Sequence, residues 1–189
     1  MKLTIPTWLT LARIALIPVL VVVYYLDYRW TNVAATAIFV FASLTDWLDG
    51  WIARRYHQYS AFGAFLDPVA DKLMVAGALL LLVQLGRADA ILAFIIIGRE
   101  IAISALREWM AQIGASKSVA VSSIGKIKTA AQMTAIPMLL YYGDLFGVID
   151  TGFWGQVLLL IAAVLTVWSM FYYLRKAWPL IRASEGGKH

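Results

Sequence analysis

Asp46, Asp49, Asp67 and Asp71 are four carboxylates in a chain whose residues are 62% apolar, and they keep the spacing D-x2-D-G-x2-A-R-x8-G-x3-D-x3-D. Asp46 and Asp49 are separated by three positions and Asp67 and Asp71 by four, so on helices each pair projects from one face, and on antiparallel neighbours joined by a short turn the pairs are expected to face one another across a single cleft. Two like charges about 4 Å apart repel by about 4 kcal/mol at an effective dielectric of about 20, and four carboxylates multiply the conflict. Divalent cations or protonation must relieve it. The chain has no cysteine and only two histidines, His57 and His189, so the ligand set is oxygen. Such a set suits Mg2+ or Mn2+, which keep open positions for substrate phosphates. Two ions about 3.5–4 Å apart would suit displacement at phosphorus.

The neighbours of the carboxylates fit the same chemistry. Gly50 and Ala53 lie on or beside the Asp46/Asp49 face and Gly63 opens the next segment, so the backbone there can be approached closely by a substrate. Arg54 is the natural partner for a phosphate. The competing reading makes the aspartates helix caps or ion-pair partners of Arg54, Arg55 and Lys72. That suffices for one aspartate at a helix end, but not for four in this register.

These groups must be positioned by membrane helices. The 189-residue chain has a mean hydropathy of +0.77, 14% charged residues and a net charge of +5. A soluble domain could not hide that much apolar surface. Scanning for stretches near the roughly 20 residues that span a bilayer gives six segments, 5–26, 31–54, 63–85, 88–111, 124–142 and 153–174. The first runs past Pro18 to Leu26 without a small-residue cleavage site, which favours a membrane helix over a cleaved leader. Of sixteen lysines and arginines, only Arg29 and Arg87 fall in the turns on the side away from the termini, which predicts N-in, C-in topology. The expectation is one all-α polytopic membrane domain over residues 1–189, with six transmembrane helices and all four aspartates towards the cytoplasmic end. Tyrosines and tryptophans near span ends read as interfacial anchors, and Pro18 and Pro137 as kinks.

The stretches DWLDGWIAR (46–54) and GAFLDPVAD (63–71) match every fixed position of the CDP-alcohol phosphotransferase signature, and the chain resembles that family. The resemblance implies the family's fold and transfer of a phosphatidyl group from CDP-diacylglycerol to an alcohol with release of CMP. It implies that Asp46, Asp49, Asp67 and Asp71 hold divalent metal. Asp71 is by the same resemblance the general base on the attacking hydroxyl. The nucleotide-lipid site implied is Pro6, Thr10, Asp46, Gly50, Ala53, Arg54, Ser60 and Gly63. Relatives often carry asparagine where Thr7 stands, a departure in this chain.

The signature does not choose the alcohol. Arg99, Arg107, Lys117, Lys126 and Lys128 flank the expected cytoplasmic ends of segments four and five, and five cations suit a small anionic acceptor. The positive-inside bias is the alternative account of such residues. Arg99 and Arg107, eight residues apart, fall close to one helix face. The stretches IPTWLTLARI (5–14), REIAISALREWMA (99–111) and GKIKTAAQM (125–133) resemble the bacterial phosphatidylglycerophosphate-forming members of the family. That implies sn-glycerol 3-phosphate as acceptor, a homodimer, and a place in the bacterial cytoplasmic (inner) membrane with the active site facing the cytoplasm. Membrane lipid is the expected surrounding partner and nucleic acid is not. Two rival readings are a cardiolipin or inositol-phosphate-using synthase of the same family and a cation or proton transporter whose carboxylates carry the ion.

Overall fold

A computed structural model of the protein describes residues 4–26, 28–56, 60–112 and 123–186. Over these the chain forms helices α1 (Ile5–Tyr25), α2 (Thr31–Tyr56), α3 (Ala61–Gln84), α4 (Ala90–Gln112), α5 (Ser123–Tyr141) and α6 (Thr151–Gly186). Local chemistry sets several of their starts. Pro6 sits in the first turn of α1, where a missing N–H costs nothing. The Ser60 hydroxyl accepts from the Gly63 N–H at 2.9 Å and caps α3. Asp89 accepts from the N–H groups of Ile91 and Leu92 ahead of α4, and Asp150 from that of Phe153 at the start of α6.

The expected segments agree with these helices within a few residues, apart from α6. It continues to Gly186 rather than stopping at Leu174. The hydropathy scan ends where the apolar run ends, but Arg, Lys and Ala are good helix formers and carry the backbone onward. Between α5 and α6 the turn expected at Gly143-Asp144 widens into a small antiparallel hairpin of strands β1 (Asp144–Leu145) and β2 (Ile149–Asp150), with Asp144 opposite Asp150 and Leu145 opposite Ile149. Strands of two residues are too short to leave an alternating pattern in sequence. Gly147 takes φ +69° at its tip, a conformation glycine adopts without strain.

The core runs through the middle of the bundle, where Leu20, Phe39, Leu79, Leu82, Ile96, Ile136 and Leu139 are buried. Large apolar side chains also cover the outside, among them Trp8, Val22, Leu44, Trp47, Phe65, Phe94 and Phe171. Helices apolar on both inner and outer faces suit a lipid surround. α1, α2 and α6 are each long and apolar enough to cross a membrane.

Polar contacts show how the first three helices alternate. At one end the start of α1 meets the start of α3, with the Thr7 and Ser60 hydroxyls 2.8 Å apart. At the other, Tyr25 at the end of α1 donates to Gln84 at the end of α3 at 3.0 Å. Arg87 ties that second end together: it donates to the carbonyls of Leu139 and Leu140 at 3.2 and 3.0 Å and to Asn32 at 3.1 Å. Its guanidinium lies 4.4 Å from the Tyr142 ring centroid. The aspartates lie towards the first end.

Candidate active site

From sequence, α2 and α3 are direct neighbours whose aspartate pairs face each other. The structure corrects this: α2 and α3 scarcely touch, and α1 packs closely against both. Electrostatics gives the reason. Two carboxylate-bearing helix faces repel when pressed together, whereas a helix carrying a cation and a hydroxyl can lie between them and bond to both.

α1 supplies a partner to all four aspartates. Arg13 Nη1 donates to Asp46 at 2.8 Å and also to Asp71, while Arg13 Nη2 donates to Asp49. The Thr10 hydroxyl, with one proton to give, lies within hydrogen-bond reach of both an Asp67 carboxylate oxygen and the Pro6 carbonyl, the latter at 3.0 Å. Arg13 is 2% exposed. Asp49 is buried with it, but the Asp46 and Asp71 side chains remain 43% and 41% exposed. The Arg13 Nε has no hydrogen-bond partner among the described residues. One guanidinium among four carboxylates leaves a surplus of negative charge.

Cavities open on two sides of this knot. One, of about 260 Å³, is lined by Pro6, Thr7, Gly50, Ala53, Arg54, Ser60, Gly63 and Asp67. It gathers most of the residues expected to hold the nucleotide lipid. Thr10 and Asp46 are instead engaged in the knot behind it. The Arg54 guanidinium folds back over Gly50, where an added Cβ would meet it at 3.4 Å, an ordinary contact. Gly63 works differently from expectation. A Cβ on it would come within 2.9 Å of Ser60 Oγ and 3.0 Å of Thr7 Oγ1, so its smallness admits two protein hydroxyls rather than leaving bare backbone for a ligand. The second cavity, of about 270 Å³, is lined by Arg13, Asp46, Asp71, Ser43, Thr129 and Met133 together with apolar residues of α2 and α3. Asp71 thus faces a space that a reacting group can enter. A larger hollow of about 550 Å³ at the opposite end has Arg29 and Arg87 in its lining and, among the described residues, no carboxylate. Size does not mark the site; converging charge does.

The basic residues expected at the acceptor site divide. Arg99 and Lys128 are buried, and Glu100 forms ion pairs with both, at 3.5 Å with Arg99. Arg99 donates to Ser169 at 3.0 Å, and the guanidiniums of Arg99 and Arg107 stand 5.7 and 5.5 Å from the Tyr173 ring centroid. The shared-face reading of Arg99 and Arg107 therefore holds, with Tyr173 of α6 as the surface they share. Lys126 is exposed, and Lys117 lies outside the described residues.

The model for CDP-alcohol phosphatidyltransferases matches residues 3–168. The chain belongs to the CDP-alcohol phosphatidyltransferase family. Its relatives include proteins of Yersinia pestis (strain Pestoides F), 54% identical over 94% of this chain and 97% of theirs, and Sodalis glossinidius (strain morsitans), 54% identical over 94% and 96%. A Pectobacterium atrosepticum protein is also 54% identical, over 94% of this chain and 96% of its own. All three are named CDP-diacylglycerol--glycerol-3-phosphate 3-phosphatidyltransferase.

For a CDP-alcohol phosphatidyltransferase the question is whether these side chains suit divalent ions. Their chemistry does: the donors are hard oxygens, the charge surplus is negative, and two of the carboxylates open onto a cavity. In the arrangement seen, no group of three acidic or imidazole side chains among the described residues is disposed to hold an ion. The Arg13 guanidinium stands among the carboxylates. Sequence reasoning gave Arg13 no role. Its signal was present, because an arginine within an apolar helix, three residues after Thr10 and seven after Pro6, shares their face. Thr7 lines the cavity of about 260 Å³ and bonds to Ser60 through its hydroxyl. Glu100 was likewise missed, its carboxylate hidden among conspicuous cations.

Proposed function

We propose that the protein transfers the phosphatidyl group of CDP-diacylglycerol to sn-glycerol 3-phosphate, giving phosphatidylglycerophosphate and CMP. The observation that carries this reading is the convergence of Asp46, Asp49, Asp67 and Asp71 on one stretch of α1, between two cavities. The names of relatives that match nearly the whole chain support the choice of acceptor.

In this reading Pro6, Thr7, Ala53, Ser60 and Gly63 shape the nucleotide end of the donor site, and Arg54 meets the diphosphate. Mg2+ or Mn2+ held by the four aspartates, two ions in the fullest form, supplies positive charge against the diphosphate and the departing CMP. Asp71 takes the proton from the free hydroxyl of glycerol 3-phosphate. The hydroxyl oxygen forms a bond to the phosphorus that carries the diacylglycerol, the bond from that phosphorus to the bridging oxygen breaks, and CMP leaves with the electron pair. Arg99, Arg107 and Lys128 present positive charge to the acceptor phosphate, with Lys117 and Lys126 contributing at the margin.

The same reading makes α1 to α6 six membrane spans with both termini in the cytoplasm, the site at the cytoplasmic face of the inner membrane, and the protein a homodimer. The charge asymmetry of the turns and the apolar outer surface support the membrane arrangement. The test is to supply purified protein with CDP-diacylglycerol, Mg2+ and separate candidate alcohols, and to weigh the lipid formed while following CMP. Phosphatidylglycerophosphate from glycerol 3-phosphate is the expected product. Turnover only with inositol phosphate or with phosphatidylglycerol would assign another acceptor.

A further inference from the structure

α1 enters the bundle between two helix faces that both carry carboxylates, and it brings one cation to them. Arg13 lies about 12 Å along α1 from its start, at 1.5 Å per residue, well inside the apolar part of the chain. Its guanidinium bonds to Asp46 and Asp49 of α2 and to Asp71 of α3, while Thr10 takes Asp67. Burying a guanidinium costs several kcal/mol of lost hydration, which is tolerated only where good acceptors surround it. Here three carboxylates do, and Arg13 in turn offsets part of a negative charge that would drive these helices apart. Two features argue against a purely structural clamp. The Nε is left without a partner among the described residues, so the fork is not fully satisfied there. Two of the three carboxylates it holds are the half-exposed ones that open onto a cavity, where an arriving ion would meet them.

We propose that Arg13 is a built-in counter-cation of the aspartate quartet, holding the carboxylates together when no divalent ion is bound and competing with the ion for Asp46 and Asp71. This rests on the reading of the four aspartates as a divalent-ion site. It goes beyond that reading by giving the ion-free enzyme a defined, partly neutralised arrangement and by making ion affinity a quantity that α1 sets. A divalent ion brings twice the charge of a guanidinium to the same oxygens, so it can take them over. An ion bound beside Arg13 is opposed by its positive charge.

The test uses the purified full-length protein and Mn2+ as the probe, with binding followed by the electron paramagnetic resonance signal of free Mn2+ and folding by thermal unfolding in detergent. Arg13→Gln keeps hydrogen-bonding capacity and removes the charge. It is expected to bind Mn2+ at least tenfold more tightly than the wild type and to unfold at a lower temperature in EDTA, with the gap closing in saturating Mn2+. Arg13→Lys keeps a charge and is expected to stay within about threefold of the wild-type affinity. If Arg13→Gln folds only when purified with Mn2+ and unfolds on chelation, the counter-cation role stands. Unchanged or weaker Mn2+ binding by Arg13→Gln, or a stability loss that Mn2+ does not repair, overturns it while leaving the ion site itself in place. A wild-type protein that binds no Mn2+ overturns both the ion site and this role.

Discussion

Among the described residues, two charge clusters, each with a buried cation at its centre, are built as near mirror images. On α1, α2 and α3, one guanidinium sits among four carboxylates. On α4, α5 and α6, the one carboxylate of Glu100 sits among the cations of Arg99 and Lys128, with Arg107 close by on Tyr173. Each cluster holds a single residue of the opposite sign and falls short of neutrality. A surplus of charge at the edge of an apolar bundle is costly, and the proposed function completes each cluster with a ligand: cations for the first, an anion for the second. The clusters differ in how the odd residue arrives. Glu100 is the chain neighbour of Arg99, so local sequence suffices to bring it, whereas Arg13 reaches aspartates 33 and 58 residues away only because α1 lies between α2 and α3. Both clusters are therefore products of the fold, since Glu100 also reaches Lys128 28 residues away and Arg99 reaches Ser169 70 residues away, but only the basic one has its odd residue beside a partner in sequence.

The contrast is broken most severely at Asp71. If the acidic cluster does the chemistry and the basic one only holds the acceptor, Asp71→Asn lowers kcat by about 10²–10⁴-fold, the range for loss of a general base. The variant keeps the wild-type elution volume and helical circular dichroism, so CMP release measured beside those controls separates lost chemistry from lost fold. Near-normal turnover would remove Asp71 from the proton transfer.

A smaller, differently shaped effect belongs to the basic cluster. Arg99→Gln removes one charge-assisted contact to the acceptor, a loss of about 1.5–3 kcal/mol. The KM for glycerol 3-phosphate should rise about 10- to 100-fold while the KM for CDP-diacylglycerol stays within about twofold. Equal changes in both constants, checked by steady-state kinetics at fixed ionic strength, would mean that Arg99 supports the bundle through Ser169 and Glu100 rather than the acceptor.

The difference between the clusters also explains what was legible in sequence. The helices were, because each apolar run is close to a bilayer in length, and the quartet was, because pairs at three and four residues survive any packing of their helices. The partner of the quartet was not. Spacing says which face a side chain occupies and nothing about which helix lies against it, so α1 as the element between α2 and α3, and Arg13 with it, emerge only in three dimensions. Gly63 was misread for a related reason: a missing side chain signals close approach, but here the approaching atoms are the hydroxyls of Thr7 and Ser60 rather than a ligand.

That revised role for Gly63 sharpens the acidic side of the comparison. Gly63→Ala forces a Cβ against Ser60 Oγ at 2.9 Å and Thr7 Oγ1 at 3.0 Å, and overpacking of this kind costs about 1–3 kcal/mol. The expected result is a lowered Tm and a KM for CDP-diacylglycerol raised several-fold, with the KM for glycerol 3-phosphate nearly unchanged. If the Tm holds and only donor binding falls, Gly63 meets the ligand directly, as the bare-backbone reading had it.

The mildest substitution tests whether position within the basic cluster matters or only the number of cations. Lys126 and Lys128 are two residues apart on α5, yet Lys128 is buried against Glu100 and Lys126 is exposed. A hydrated lysine head contributes little beyond screened long-range attraction, and that contribution fades as ionic strength rises. Lys126→Ala should change the KM for glycerol 3-phosphate by no more than about twofold at low salt and by less at 0.15 M, where the Debye length is about 8 Å. A salt-independent increase of tenfold or more would show that Lys126 turns inward onto the acceptor, and the basic cluster would then be completed by its ligand in the way proposed for the acidic one.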